Sequence, residues 1–274
     1  MKKNNNAILL STPYIIWMVA FTLIPLGVVA YYAFTDPNTG AFSMKNILEL
    51  QNYLPVLWQS VLYSLISALI CLVLGYPVAY FIARQGEVMQ KILYMLVMLP
   101  MCMSFLLRTL AWVGLLQDTG IINDILEAVG IGRMQLIRTP GAVILGMVYN
   151  YLPYMILPLY AIIVKIDNRL IEAAEDLGCT PTQVFARVVL PLSMPGILSG
   201  FLMSLTYSID DFVISYFTHG ASAQTLSITI FSMTRRKVSP EVNALSAIIF
   251  VVVLTILLIV NIVFFKGCDF FRIK

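Results

Sequence analysis

Residues 165–191 read KIDNRLIEAAEDLGCTPTQVFARVVLP, a run rich in charge inside a chain that is 60% hydrophobic and only 11% charged. Soluble domains carry about 25% charged residues. A charged share near half that value, with a mean hydropathy of +0.89, places the 274-residue chain in a membrane. The charged run must then lie where the chain leaves the apolar phase. The stretch RLIEAAEDLG, Arg169 to Gly178, has helix-forming composition, with Gly178 as a helix stop. Thr180-Pro181 is a helix start, and Pro191 is expected to close the second of two short helices. Ile171, Ala174 and Leu177/Gly178 recur at helical spacing, whereas Glu172, Glu175 and Asp176 spread over the rest of the first helix. A short helix with so narrow an apolar stripe does not hold itself together in water. It packs on its own bundle or docks on another protein.

Outward from this loop, apolar segments long enough to cross a bilayer occur near residues 7–34, 57–83, 92–116, 141–164, 195–217 and 243–265. The sequence therefore predicts an all-α integral membrane bundle of six transmembrane helices, read as a single domain over residues 1–274. The first segment follows Lys2 and Lys3 but is long and lacks a small-x-small cleavage site, so it is expected to be retained as an anchor. With the N-terminus inside, ten basic residues fall on the inner side (Lys2, Lys3, Arg84, Lys91, Lys165, Arg169, Arg187, Lys266, Arg272, Lys274). Six fall outside (Lys45, Arg133, Arg138, Arg235, Arg236, Lys237). This bias predicts cytoplasmic N- and C-termini and a cytoplasmic loop at 165–191, with the cluster Arg235-Arg236-Lys237 running against it.

Several chemistries are excluded. The net charge is only +3 and the basic residues are scattered, so nucleic-acid binding has no support. Cys71, Cys102, Cys179 and Cys268 are widely separated and His219 stands alone, which gives no metal-ligand spacing and no disulfide framework. No G-x-x-x-x-G-K-[ST] occurs, so the chain has no phosphate cradle of its own, no catalytic residues are assigned, and ATP energy has to come from a partner.

The charged run resembles the signature loop of permease subunits of binding-protein-dependent ABC importers: E-A-A, three residues, G, nine residues, then I-x-L-P. Glu172-Ala173-Ala174, Gly178, Val188 in place of the usual Ile, Leu190 and Pro191 fall on it. Met98 to Asp124 and Leu157-Pro158-Leu159-Tyr160 resemble spermidine/putrescine-type permeases, and SIDDFVISYF (208–217) with SPEVNAL (239–245) is similar to the second permease of such systems. The resemblance implies a type I importer fold with a coupling helix in the loop at about 165–191. Glu172, Ala173, Ala174 and Gly178 would dock on an ATP-hydrolysing subunit. It also implies a second permease, a pair of ATP-binding subunits carrying ATP and Mg, an external substrate-binding protein, and a bacterial plasma-membrane location.

Ionisable residues within spans are candidates for function by default. Ser204, Ser208, Asp211 and Ser215 fall on one helical stripe with Tyr207 beside it and Asp210 at its edge. Arg108 in the third span reaches a similar height, which leaves two readings: an Arg108–Asp ion pair that locks the bundle, or acids lining a path for a cationic solute. In the second reading Tyr207 and Trp112 offer ring faces to an ammonium group. Trp112 is equally an interfacial anchor. Gly196 and Gly200 form a G-x-x-x-G expected to let a second helix approach. Pro25, Pro77, Pro100, Pro153 and Pro158 are expected to bend their spans. The outer connections, 46–58 and 118–126, are expected to lie along the interface or to receive the external binding protein. A permease for another solute (an opine, an aminophosphonate or a metal complex) and a self-sufficient secondary transporter remain as alternatives.

Overall fold

The computed structural model describes residues 5–35, 51, 53–220, 225–236, 245–247, 250–251, 254–255 and 258. These residues are helical or irregular, and no strand occurs among them. The helices are α1 (Asn5–Met18), α2 (Ile24–Ala33), α3 (Leu54–Ala83), α4 (Glu87–Met98), α5 (Phe105–Leu116), α6 (Ile121–Ala128), α7 (Pro140–Ile163), α8 (Asn168–Asp176), α9 (Pro181–Val184), α10 (Leu190–Ile209), α11 (Val213–Thr218) and α12 (Leu226–Arg236). Five stretches are long and apolar enough to cross a membrane: Thr12–Ala33, Leu54–Ala83, Phe105–Ala128, Pro140–Ile163 and Pro181–Ile209. The expected sixth span, 243–265, lies largely outside the described residues; those described within it are helical. The chain divides into two compact units, one from residues 1–55 and 230–274, the other from 56–229. The second holds the charged loop at 165–191 and the residues around Asp211.

Three expectations need correction, each for a local reason. The segment 92–116 is not one helix: it breaks into α4, a 3-10 turn over Leu99–Cys102, and α5. Pro100 lies at the start of that turn, where it cannot donate the bond an α-helix requires. Likewise 195–217 is not continuous, because α10 ends at Ile209 and α11 begins at Val213. Nor does Pro191 close a second short helix. The chain instead runs from α9 through a π-helical turn, Phe185–Val189, into α10 as one span. In that turn the Leu190 amide donates to Phe185 O, five residues back. The same arrangement precedes Pro25, where Val19–Leu23 is π-helical and the Ile24 amide donates to Val19 O. A proline supplies no N–H to the carbonyl four residues behind it. One wide turn just ahead of it carries the helix onward instead of ending it.

The core of the second unit is the packing of α3, α7 and α10. Cys71, Tyr76, Ala79, Ile82, Met155, Ile156, Leu159 and Ile163 form one buried cluster; Tyr63, Val143, Met147, Tyr151 and Ile214 form another. Small residues set the spacing. A Cβ on Gly200 would stand 2.8 Å from Met155 O, and one on Gly196 would stand 3.0 Å from Pro158 O. The glycine pair thus lets α10 run against the backbone of α7, antiparallel to it. Gly75 faces Met155 and Ile156, while Ser67 reaches Met147 and Cys71 reaches Val148 O, so α3 runs parallel to α7. Consequently the C-terminal ends of α3 and α7 and the loop carrying α8 share one end of the bundle.

Candidate functional site: a coupling helix and a broken span

At that end, α8 is closed at both termini by its own sequence. The Asp167 carboxylate accepts from the Arg169 amide at 3.0 Å and caps the start. Gly178 adopts a left-handed φ of +84°. Its amide donates to Glu175 O at 2.8 Å and the Cys179 amide to Ala174 O at 3.1 Å, the Schellman pattern that ends a helix and turns the chain. Two residues on, the Thr180 amide donates to Gln183 Oε1 at 3.0 Å and opens α9. Ala174 is buried and Ile171 half-buried against this second helix. Leu177, expected on the same face, instead points away and is 86% exposed. It lies beyond the last helical residue, where the C-terminal turn swings it outward. Leu170, Ala173 and Leu177 therefore form an outward apolar stripe edged by exposed Glu172, Glu175 and Asp176. The resulting surface is a short ridge on which small and apolar residues are exposed.

Further along, the break between α10 and α11 is built around Asp211. This buried carboxylate accepts from Tyr151 Oη at 2.9 Å, from the Ser215 amide and hydroxyl at 2.9 and 3.0 Å, and from the Ile214 amide at 3.3 Å. It caps the first turn of α11 and ties it to α7. A helix interrupted inside a membrane must satisfy its freed amides within the protein, and Asp211 does so. Asp210, beside it, is exposed. Tyr207 lies one turn earlier and half-exposed, its ring 4.6 Å from that of Tyr154 and stacked at 6.1 Å on that of Tyr151. Three phenol faces thus meet beside one carboxylate engaged by the chain and one exposed on its surface.

Arg108 is 6% exposed and makes no ion pair among the described residues. Its Nη1 donates to Pro100 O at 2.8 Å, and its guanidinium carbon lies 5.6 and 5.9 Å from the rings of Phe105 and Tyr149. It thereby braces the 3-10 break between α4 and α5. Trp112 meets Tyr149 edge-on at 5.0 Å and is half-buried. The structure thus groups Tyr207 with Asp210 and Asp211, and places Arg108 and Trp112 on the neighbouring Tyr149. Sequence reasoning missed Tyr151 and Tyr154, whose three-residue spacing on α7 is the signal for one face, although only the pairing of α7 with α10 brings them to the acids.

A multi-helix membrane bundle with a broken span and a protruding helix at one end defines a membrane-spanning transport component. Residues 72–265 match the family described as binding-protein-dependent transport system inner membrane component, and the chain belongs to that family. It is 38% identical over 214 residues, 75% of each chain, to the spermidine/putrescine transport system permease protein PotB of Haemophilus influenzae. Against PotB of Escherichia coli the identity is 35% over 215 residues, 75% of this chain and 78% of the relative. PotC of Haemophilus influenzae is 37% identical over 118 residues, 43% of this chain and 46% of the relative. The fold matches a chain of a bacterial ABC transporter involved in the import of the acidic polysaccharide alginate, with TM-score 0.77, 20% identity and 95% coverage of both chains.

Proposed function

We propose that this chain is the permease subunit of an ABC importer for a polyamine such as spermidine or putrescine, with α8 as the helix that docks on an ATP-binding subunit. The kinship with the spermidine/putrescine permeases over three quarters of both chains carries this reading. The site chemistry agrees with it: an exposed carboxylate beside tyrosine faces suits an ammonium group, attracted to the acid by charge and to the rings by their quadrupole. In this reading Asp210, Tyr207 and Tyr154 meet the cargo, and Asp211 holds Tyr151 and α11 in place beside them. Arg108 and Trp112 shape the neighbouring wall of the path.

The assembly comprises this chain, a related but different second permease, two ATP-binding subunits that hold ATP and Mg, and an external binding protein that delivers the cargo. Both termini and α8 lie on the cytoplasmic side of a bacterial plasma membrane. Closure of the ATP-binding subunits acts on the exposed Leu170, Glu172, Ala173 and Leu177; of the four residues expected to dock, Ala174 is buried and packs the helix, and Gly178 supplies its C-terminal turn. The helices that follow turn the path inward. The test is uptake by the reconstituted complex with its companion binding protein. Spermidine or putrescine is expected to bind that protein and stimulate ATP hydrolysis; stimulation by a neutral or anionic solute with none by either polyamine would overturn the cargo assignment.

A further inference from the structure

We infer that the inner end of α3 is a clamp that grips the coupling segment on both of its limbs, with Arg84 as its positioning residue. Tyr76, Tyr80 and Arg84 are spaced four residues apart and form one stripe down α3. Each touches the segment that carries α8. Arg84 Nη1 donates to Oδ1 of Asn168, the first residue of α8, at 2.6 Å. The guanidinium carbon lies 5.1 Å from the Tyr80 ring centroid, which fixes the planar group that makes this bond. Tyr80 and Tyr76 in turn meet the Phe185 ring edge-on at 5.8 and 5.5 Å, and Tyr76 Oη lies 2.9 Å from Ser193 Oγ. Phe185 begins the wide turn and Ser193 is in the first turns of α10. One stripe of α3 therefore holds the limb before the α8–α9 turn through Asn168 and the limb after it through Phe185 and Ser193.

The consequence concerns how movement travels. Along the chain alone, a push on α8 reaches α10 through the Cys179–Thr180 turn and reaches α7 through Lys165 and Ile166. The clamp adds a lateral route into α3, which packs on α7 through Ser67, Cys71 and Gly75, so three spans respond together. Arg84 sits where this route begins. It touches neither cargo nor nucleotide, and its effect is on how much transport each hydrolysis event yields.

This inference rests on the importer reading, and the experiment separates the two. The full complex is reconstituted in vesicles with its binding protein, and ATP hydrolysed per spermidine imported is measured. A wild-type complex that imports no cargo on ATP would sink the importer reading whatever Arg84 does. With wild-type import established, Arg84→Ala and Asn168→Ala are each expected to raise the ATP consumed per cargo about threefold, the scale of one exposed charge-assisted hydrogen bond. The ATP-binding subunit is expected to remain bound, and the double variant to be no worse than either single one. Unchanged ratios in both single variants, or effects that multiply in the double variant, contradict the clamp. If the alanine variants do not assemble, Asn168→Asp decides. It offers Arg84 a carboxylate, so a ratio at or below wild type is expected and a raised ratio contradicts the inference.

Discussion

The Tyr151 hydroxyl donates to the Asp211 carboxylate at 2.9 Å, joining α7 to the first turn of α11 across 60 residues of chain. This bond makes Asp211 a component of the fold at the point where the fifth span breaks. Asp211→Ala leaves the Tyr151 hydroxyl, the Ser215 hydroxyl and two amides of α11 without their acceptor. A loss of about 2–4 kcal/mol is expected from unmaking buried bonds to a charged group. Thermal unfolding of the purified complex should show a clear fall in midpoint. Asp210→Asn, which removes an exposed charge, is expected to leave the midpoint within error and to raise the cargo concentration needed for half-maximal transport about tenfold. Equal effects of the two on stability would contradict this division of roles.

Gly178 bears on the coupling helix alone. Its φ of +84° is left-handed, and a Cβ there would meet nothing within 4 Å, so the cost of substitution is conformational and not steric. Gly178→Ala is expected to cost about 1 kcal/mol in the local C-terminal turn, Gly178→Asn less and Gly178→Val more. Recovery of the ATP-binding subunit on purification should follow the order Gly, Asn, Ala, Val. Recovery that fell with side-chain volume irrespective of left-handed preference would point to a docking clash instead.

Helix approach gives a contrast between glycines. Gly200 faces Met155 O, whereas Gly114 has open space beside it. Gly200→Val is expected to separate α10 from α7 and cost about 1–3 kcal/mol, and Gly114→Ala to cost nothing measurable. Folded yield in detergent, read by size-exclusion profile, compares them directly.

The connection between α5 and α7 depends on Asn123. Fully buried, it donates to Gln117 O at 3.1 Å and accepts from the Met134 amide at 3.0 Å, closing the segment between α5 and α7 over α6. The surface pair of Arg133 with Asp124 and Glu127 is exposed on both sides and adds little. Asn123→Ala is expected to expose residues 117–134 to protease at least several-fold faster, and Arg133→Ala to leave the rate near wild type.

Much of this was legible in the sequence because the bilayer restricts the answer. Span lengths, the helix stop at Gly178 and the start at Thr180 follow from local chemistry, as does the Gly196–Gly200 approach. The breaks were not legible. Pro100 and Pro191 carry the same local signal, yet one interrupts its span and the other is passed by a wide turn; the difference depends on what neighbouring helices hold in place. Ser204, Ser208, Asp211 and Ser215 are all buried, but the break after Ile209 divides the expected single stripe between α10 and the turn that opens α11. The meaning of Asp211 changed once Tyr151 was found opposite, since a carboxylate surrounded by the chain's own donors is no longer a free acid. Arg108 shows the same limit: the sequence allowed an ion pair with an Asp, but the guanidinium donates to the backbone of Pro100.

The central claim is that α8 seats in an ATP-hydrolysing partner. A photo-crosslinking residue in place of Leu177, which is 86% exposed at the end of that helix, tests it in the complex within native membranes. The expected result is an adduct with the ATP-binding subunit whose yield changes when nucleotide is trapped. Adducts formed only within this chain, or labelling of a cysteine at the same position by an impermeant reagent added to the outer face of intact cells, would contradict the account.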